Sequence, residues 1–87
     1  MILIHGGHIY DLKHAREIVI NNNRMTIVYE HVIHESVIYF NHELSRKTTE
    51  SLIYVIAAHK NKDVTYRLEH LIELVKSDNI NPRVTKQ

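Results

Sequence analysis

The sequence predicts a small α+β domain, and three observations carry that reading. Two β-branched and aromatic stretches between Arg24 and His42 alternate like strands. A clean apolar stripe from Val64 to Val75 has helical spacing. A chain of 87 residues has room for one modest core and no second one. The expected order is β-α-β-β-α-α, a short mixed sheet packed against helices. The compact domain is expected over residues 1–78, with 79–87 as a flexible C-terminal tail.

Ile2-Leu3-Ile4, stopped by Gly6-Gly7, reads as a short buried strand followed by a turn. Asp11 stands where a helix cap should be, ahead of Leu12, Ala15 and Val19, which recur on one helical face. A helix is therefore expected there, closed by Asn21-Asn22-Asn23. Met25, Ile27 and Tyr29 then alternate with Thr26, Val28 and Glu30, and Val37 and Tyr39 with Ile38 and Phe40. These are two strands joined around His31–Glu35, where no glycine specifies the turn. Both faces of each strand carry apolar residues, so one face should pack on helices and the other be covered by a partner.

Ser45, Thr48 and Thr49 offer caps for a helix through Leu52–Ala58, a run with scarcely a polar break. Apolar residues nearly all round the axis imply a central helix or one in an interface. Lys60-Asn61-Lys62 is a turn and Asp63 the expected cap of the last helix, with Val64, Leu68, Leu71, Ile72 and Val75 facing inward. A strand, helix, strand start would give a parallel crossover between the first two strands.

Formal charge is +1, from eleven basic and ten acidic residues, which argues against a protein with one broad basic face. Absence of cysteine removes disulfides, thiol catalysis and thiolate zinc sites, and fits a reducing interior. The N-terminal stretch has no basic leader and no apolar run of signal-peptide length, so a cytoplasmic protein without a membrane partner is expected.

Eight histidines are the unusual feature of the composition. His5 and His8 flank the glycine pair, and His31 and His34 lie beside Glu30 and Glu35. Imidazole is a ligand for zinc and nickel, so either pair is a candidate metal site. Exposed histidines at polar turns account for the same residues, and the two-histidine helix pattern of metalloproteases is absent. No glycine-serine-glycine elbow is present, and scattered serines, histidines and acids do not define a triad.

Arg46, Lys47, Lys60, Lys62 and Arg67 outweigh Glu50 and Asp63, so a nucleic-acid-binding regulator is one alternative. It would join two helices across Lys60-Asn61-Lys62, with Thr65, Tyr66 and Arg67 early in the second. Glu69, Glu73 and Asp78 oppose it. The favoured reading follows from surplus apolar surface. Tyr39, Phe40, Tyr54 and Val55 cannot all share one small core, and tyrosine is favoured at interfaces. The expectation is a non-enzymatic regulatory or adaptor protein without a cofactor. It would bind another protein and pair with its own copy as a homodimer.

Overall fold

The computed structural model describes residues 1–30 and 35–80. The chain opens with strands β1 (Ile2–His5) and β2 (His8–Asp11), paired antiparallel with His5 opposite His8. Gly6 and Gly7 form the two-residue turn between them, at φ of 57° and 80°. Both positions lie in the left-handed region that this tight turn requires and that glycine adopts without a steric penalty. The glycine pair thus closes a hairpin and does not lead into a helix.

The helix expected from Leu12 to Val19 is absent. Asp11 does act as a cap, its Oδ1 accepting from the Lys13 N–H at 3.0 Å, but only one 3₁₀ turn follows, Leu12–His14. Ala15–Asn21 is strand β3, paired antiparallel with β4 (Arg24–Tyr29) through the Asn22-Asn23 turn, where Asn22 sits at φ 58°. The physical reason is local. Ile18-Val19-Ile20 is a β-branched run, stiff at χ1, and a turn-forming asparagine pair places it directly against a second strand. β5 (Glu35–Tyr39) pairs antiparallel with β4, as expected from the alternation in both segments.

Helix α1 (Arg46–His59) begins at Ser45, whose Oγ accepts from the Thr48 N–H at 3.1 Å. The stripe from Val64 to Val75 divides between two elements. Thr65–Arg67 is a short strand, β6, and α2 starts at Leu68 and runs to Ile80. Asp63 is therefore not its cap, and the helix passes the boundary expected at residue 78. Pairing with β1 takes priority over the helical start, because β6 lies parallel to β1 with Ile2 opposite Thr65 and Ile4 opposite Arg67.

Two three-stranded sheets result, where one mixed sheet was expected: a mixed sheet in the order β2-β1-β6 and an antiparallel sheet in the order β3-β4-β5. Both pack with the two helices on one core, and the architecture is α+β. Leu3, Leu12, Met25, Ile27, Ile38, Leu52, Leu68 and Val75 are the largest fully buried side chains, drawn from both sheets and both helices. The start of the chain is tied in by the Met1 ammonium, which donates to the carbonyls of Lys60 at 2.7 Å and Lys62 at 2.8 Å. No helix of the described residues is long and apolar enough to cross a membrane.

Leu52 projects from α1 into the centre of this core and is fully buried. Leu52→Ala is expected to lower the unfolding free energy by about 2–5 kcal/mol, read from urea denaturation followed by circular dichroism.

Candidate functional site

Strand parity decides what the antiparallel sheet leaves open. Ile18 and Ile20 of β3, Met25 and Ile27 of β4 and Ile38 of β5 turn toward the helices and the core. The intervening residues form the opposite face. The register lines them up in rows: Glu17 with Val28 and Glu35, Val19 with Thr26 and Val37, Asn21 with Arg24 and Tyr39. Val19, Val37 and Tyr39 are exposed, Tyr39 by 61%. This face is apolar at its middle, acidic at one end and basic at the other.

The four residues singled out for apolar surplus separate into two classes. Tyr39 lies on that open face, and Tyr54 on the outward side of α1, 77% exposed. Phe40, by contrast, is buried, and Val55 is half-buried against the core. Phe40 continues the inward parity of Ile38 as the chain leaves β5, and its N–H donates to the Asn23 carbonyl at 2.7 Å. Phe40 and Val55 are therefore core side chains. Tyr39 and Tyr54 point away from that core on opposite sides, since α1 covers the inner face of the sheet whose outer face holds Tyr39.

A groove of about 180 Å³ runs beside β3, between the strand and α1. Ala15, Ile18, Ile53, Ile56 and Ala57 make its apolar lining, with Arg16, Glu17 and Lys60 around them. Ile53 and Ala57 are exposed there because they sit one side of the buried Leu52–Ile56 ridge. The β3 edge could not be seen while that segment was read as helix.

The histidines are brought into a different arrangement from the one their spacing suggests. His5 faces a shallow cleft of about 120 Å³ lined by Phe40, Leu44, Leu68 and Ile72, with His42, Glu69, Glu73 and Lys76 also on its wall. Its Nδ1 contacts the Glu69 carboxylate, and its Nε2 donates to the Tyr39 carbonyl at 3.2 Å. Both ring nitrogens of His5 thus have a partner within the chain. His8, opposite His5 in the hairpin, instead lies near the Tyr10 ring at a centroid distance of 5.9 Å. His31 and His34 lie outside the described residues. Among the described residues no group of three or more histidine and carboxylate side chains is placed to hold a metal ion.

Glu69 is held below the ordinary carboxylate value. The largest cause is a hydrogen bond from its own backbone amide in the first turn of α2; desolvation, next in size, opposes it, and the His5 hydrogen bond and charge and the Arg67 charge add smaller lowerings. The pairing of Glu69 with a histidine 64 residues away left no trace in local sequence.

The five basic residues do not converge. Arg46 and Lys47 stand at the start of α1, Lys60 and Lys62 beyond its end, about 20 Å away for a helix of 14 residues. Arg46 Nε donates to Glu50 at 3.3 Å, and Lys60 Nζ donates to the Lys13 carbonyl at 3.0 Å. Thr65, Tyr66 and Arg67 belong to β6 and not to the second helix, so the expected helix-turn-helix outline is not the one adopted.

No protein-family model matches the chain, and neither a curated protein nor a solved structure is significantly similar to it. The class that the described residues define is a small α+β domain, with exposed apolar residues on one face of the antiparallel sheet and β3 at its edge.

Two predictions follow from burial and charge. Tyr54→Glu should leave stability within about 0.5 kcal/mol of the parent, whereas Phe40→Ala should cost about 3–5 kcal/mol in the same urea titration. Because Glu69 titrates lower in the folded chain than in the unfolded one, its contribution to stability is present above the unfolded value. It is lost as pH falls through the folded value. The stability difference between the parent and Glu69→Gln should therefore shrink on acidification below about pH 4.5, measured by urea midpoints across pH 3–7.

Proposed function

We propose that this protein is a small binding module of the regulatory or adaptor kind, acting through protein–protein contact and self-association and carrying out no reaction of its own. The observation that carries the reading is the uncovered face of the β3-β4-β5 sheet, with Val19, Val37 and Tyr39 exposed on consecutive register rows. A sheet packed on helices on one side and carrying an apolar middle on the other gains burial when a second surface covers it. The clefts support the reading too, since about 120, 180 and 260 Å³ lie below the roughly 300–1,000 Å³ usual for small-molecule sites.

Sedimentation velocity from about 10 μM to 1 mM tests the self-association part, a span that brackets weak interfaces of the smallest specific size. The weight-average mass is expected to rise above the 10.3 kDa of one chain as concentration increases. A mass fixed at one chain over that span would remove it.

A further inference from the structure

The open edge of β3 offers a more specific contact than the sheet face, and we propose that it pairs with the β3 edge of a second copy. The pairing would be antiparallel about a two-fold axis through Val19 and would join the two β3-β4-β5 sheets into one six-stranded sheet. The inference rests on the self-association just proposed and names its site and register.

Three features converge on this edge. In the sheet order β3-β4-β5, β3 has a strand neighbour on one side only, and with seven residues it is the longest strand among those described. The two-residue turn makes Asn21 and Arg24 the hydrogen-bonded pair that closes the hairpin. Antiparallel alternation then directs Val19 and Glu17 to β4, and the N–H and C=O groups of Ile18 and Ile20 to the open side. An edge of this kind templates another strand.

The second feature is charge and register. With Val19 opposite Val19 of the second copy, Ile18 meets Ile20 and Glu17 meets Asn21. Ile18 and Ile20 are then the residues that exchange both backbone hydrogen bonds, which is what their outward groups require. On the outer face, Arg24 already lies next to Asn21 across the β3–β4 pair. Glu17 and Arg24 of the second copy therefore flank one short asparagine, two strands or about 10 Å apart at the backbone. That is within reach of the two long side chains, and symmetry supplies the pair twice. Moving the axis to Glu17 would oppose two carboxylates directly, which is unfavourable. The irregularity between Ala15 and Glu17 ends the regular edge at Glu17, so the seam is confined to Glu17–Asn21.

The third feature is the groove. Side chains of an added strand that share the face of Ile18 and Ile20 would enter the space beside Ile53 and Ala57, which α1 presents along this edge. A second β3 supplies isoleucines at those positions. The seam thus covers Ile53, which is exposed on the side of α1 that faces this edge.

The test is a charge-swap pair at the axis, read by sedimentation velocity on the full chain with folding checked by circular dichroism. Val19 is exposed, so Val19→Lys and Val19→Glu leave the core untouched, and each places two like charges against one another across the axis. Each variant alone is expected to lose association by at least tenfold in dissociation constant. An equimolar mixture is expected to recover it as a dimer containing one of each. A parent chain that associates while both variants associate as well as it does, or a mixture that fails to recover, overturns the seam and leaves self-association standing. A parent that remains a single chain overturns both.

Discussion

The parallel pairing of β1 with β6 is the constraint on which the rest of the structure depends. It joins residues about sixty positions apart, Ile2 with Thr65 and Ile4 with Arg67, and thereby closes almost the whole chain into one unit. Closing so long a loop is entropically unfavourable and is offset only by contacts that the closure itself creates. Several are visible. Leu3 becomes fully buried, Ile2 donates its N–H to the Val64 carbonyl at 2.8 Å, and the Met1 ammonium is satisfied by two carbonyls of the turn before β6. α2 follows β6 directly, so the pairing also sets where its buried stripe lands. His5 at the end of β1 meets Glu69 in the first turn of α2 for the same reason.

From that closure comes the asymmetry of the second sheet. The helices have one buried stripe each, Leu52 and Ile56 on α1 and Leu68, Leu71, Ile72 and Val75 on α2. α2 packs along β1 and β6 as well as on α1, which leaves the antiparallel sheet one inner face to fill. A core of this size is complete once Ile20, Met25, Ile27, Ile38 and Phe40 have entered it. Val19, Val37 and Tyr39 on the opposite rows of the sheet then stay exposed. Their residue types, valine and tyrosine interleaved with threonine and arginine, suit a half-buried surface better than a wholly solvated one.

Much of this was legible in the sequence, and what was not has a physical reason. Period-two alternation located β4 and β5, and Ser45 located the start of α1, because those signals are local. The α+β class followed from them. The segment from Leu12 to Val19 was misread because three apolar residues at helical spacing were weighed above the β-branched run Ile18-Val19-Ile20 and the asparagine turn behind it. The strand β6 was hidden inside a helical stripe, since three residues paired to the first strand leave no periodicity of their own. At the level of the site, the surplus of apolar residues marks Tyr39, Phe40, Tyr54 and Val55 alike, and of these Tyr39 and Tyr54 are exposed. Phe40 and Val55 went inside, because excess can be counted from composition but facing depends on register. The His5–Glu69 contact could not be read at all, as it exists only once β1 and β6 are neighbours.

The edges of the two sheets differ in a way that bears on which one is open to a partner. β2 and β6, the outer strands of the mixed sheet, have four and three residues, and so short an edge templates little. β5 has five residues, two fewer than β3, and its pairing with β4 closes with the Phe40 N–H donating to the Asn23 carbonyl. β3 is longest and has a bulge only at its first residues, so its regular half is the part left without such protection. Edge strands are commonly blunted by charge pointing into the space a neighbour would occupy. Here Ile18 lines the groove with Ile53, Ile56 and Ala57, and Arg16, Glu17 and Lys60 stand around that apolar strip. The charged groups flank the strip, and the inward-turned residues of the regular half, Ile18 and Ile20, are of the type that packs on the core. A second strand there would extend the same inner face.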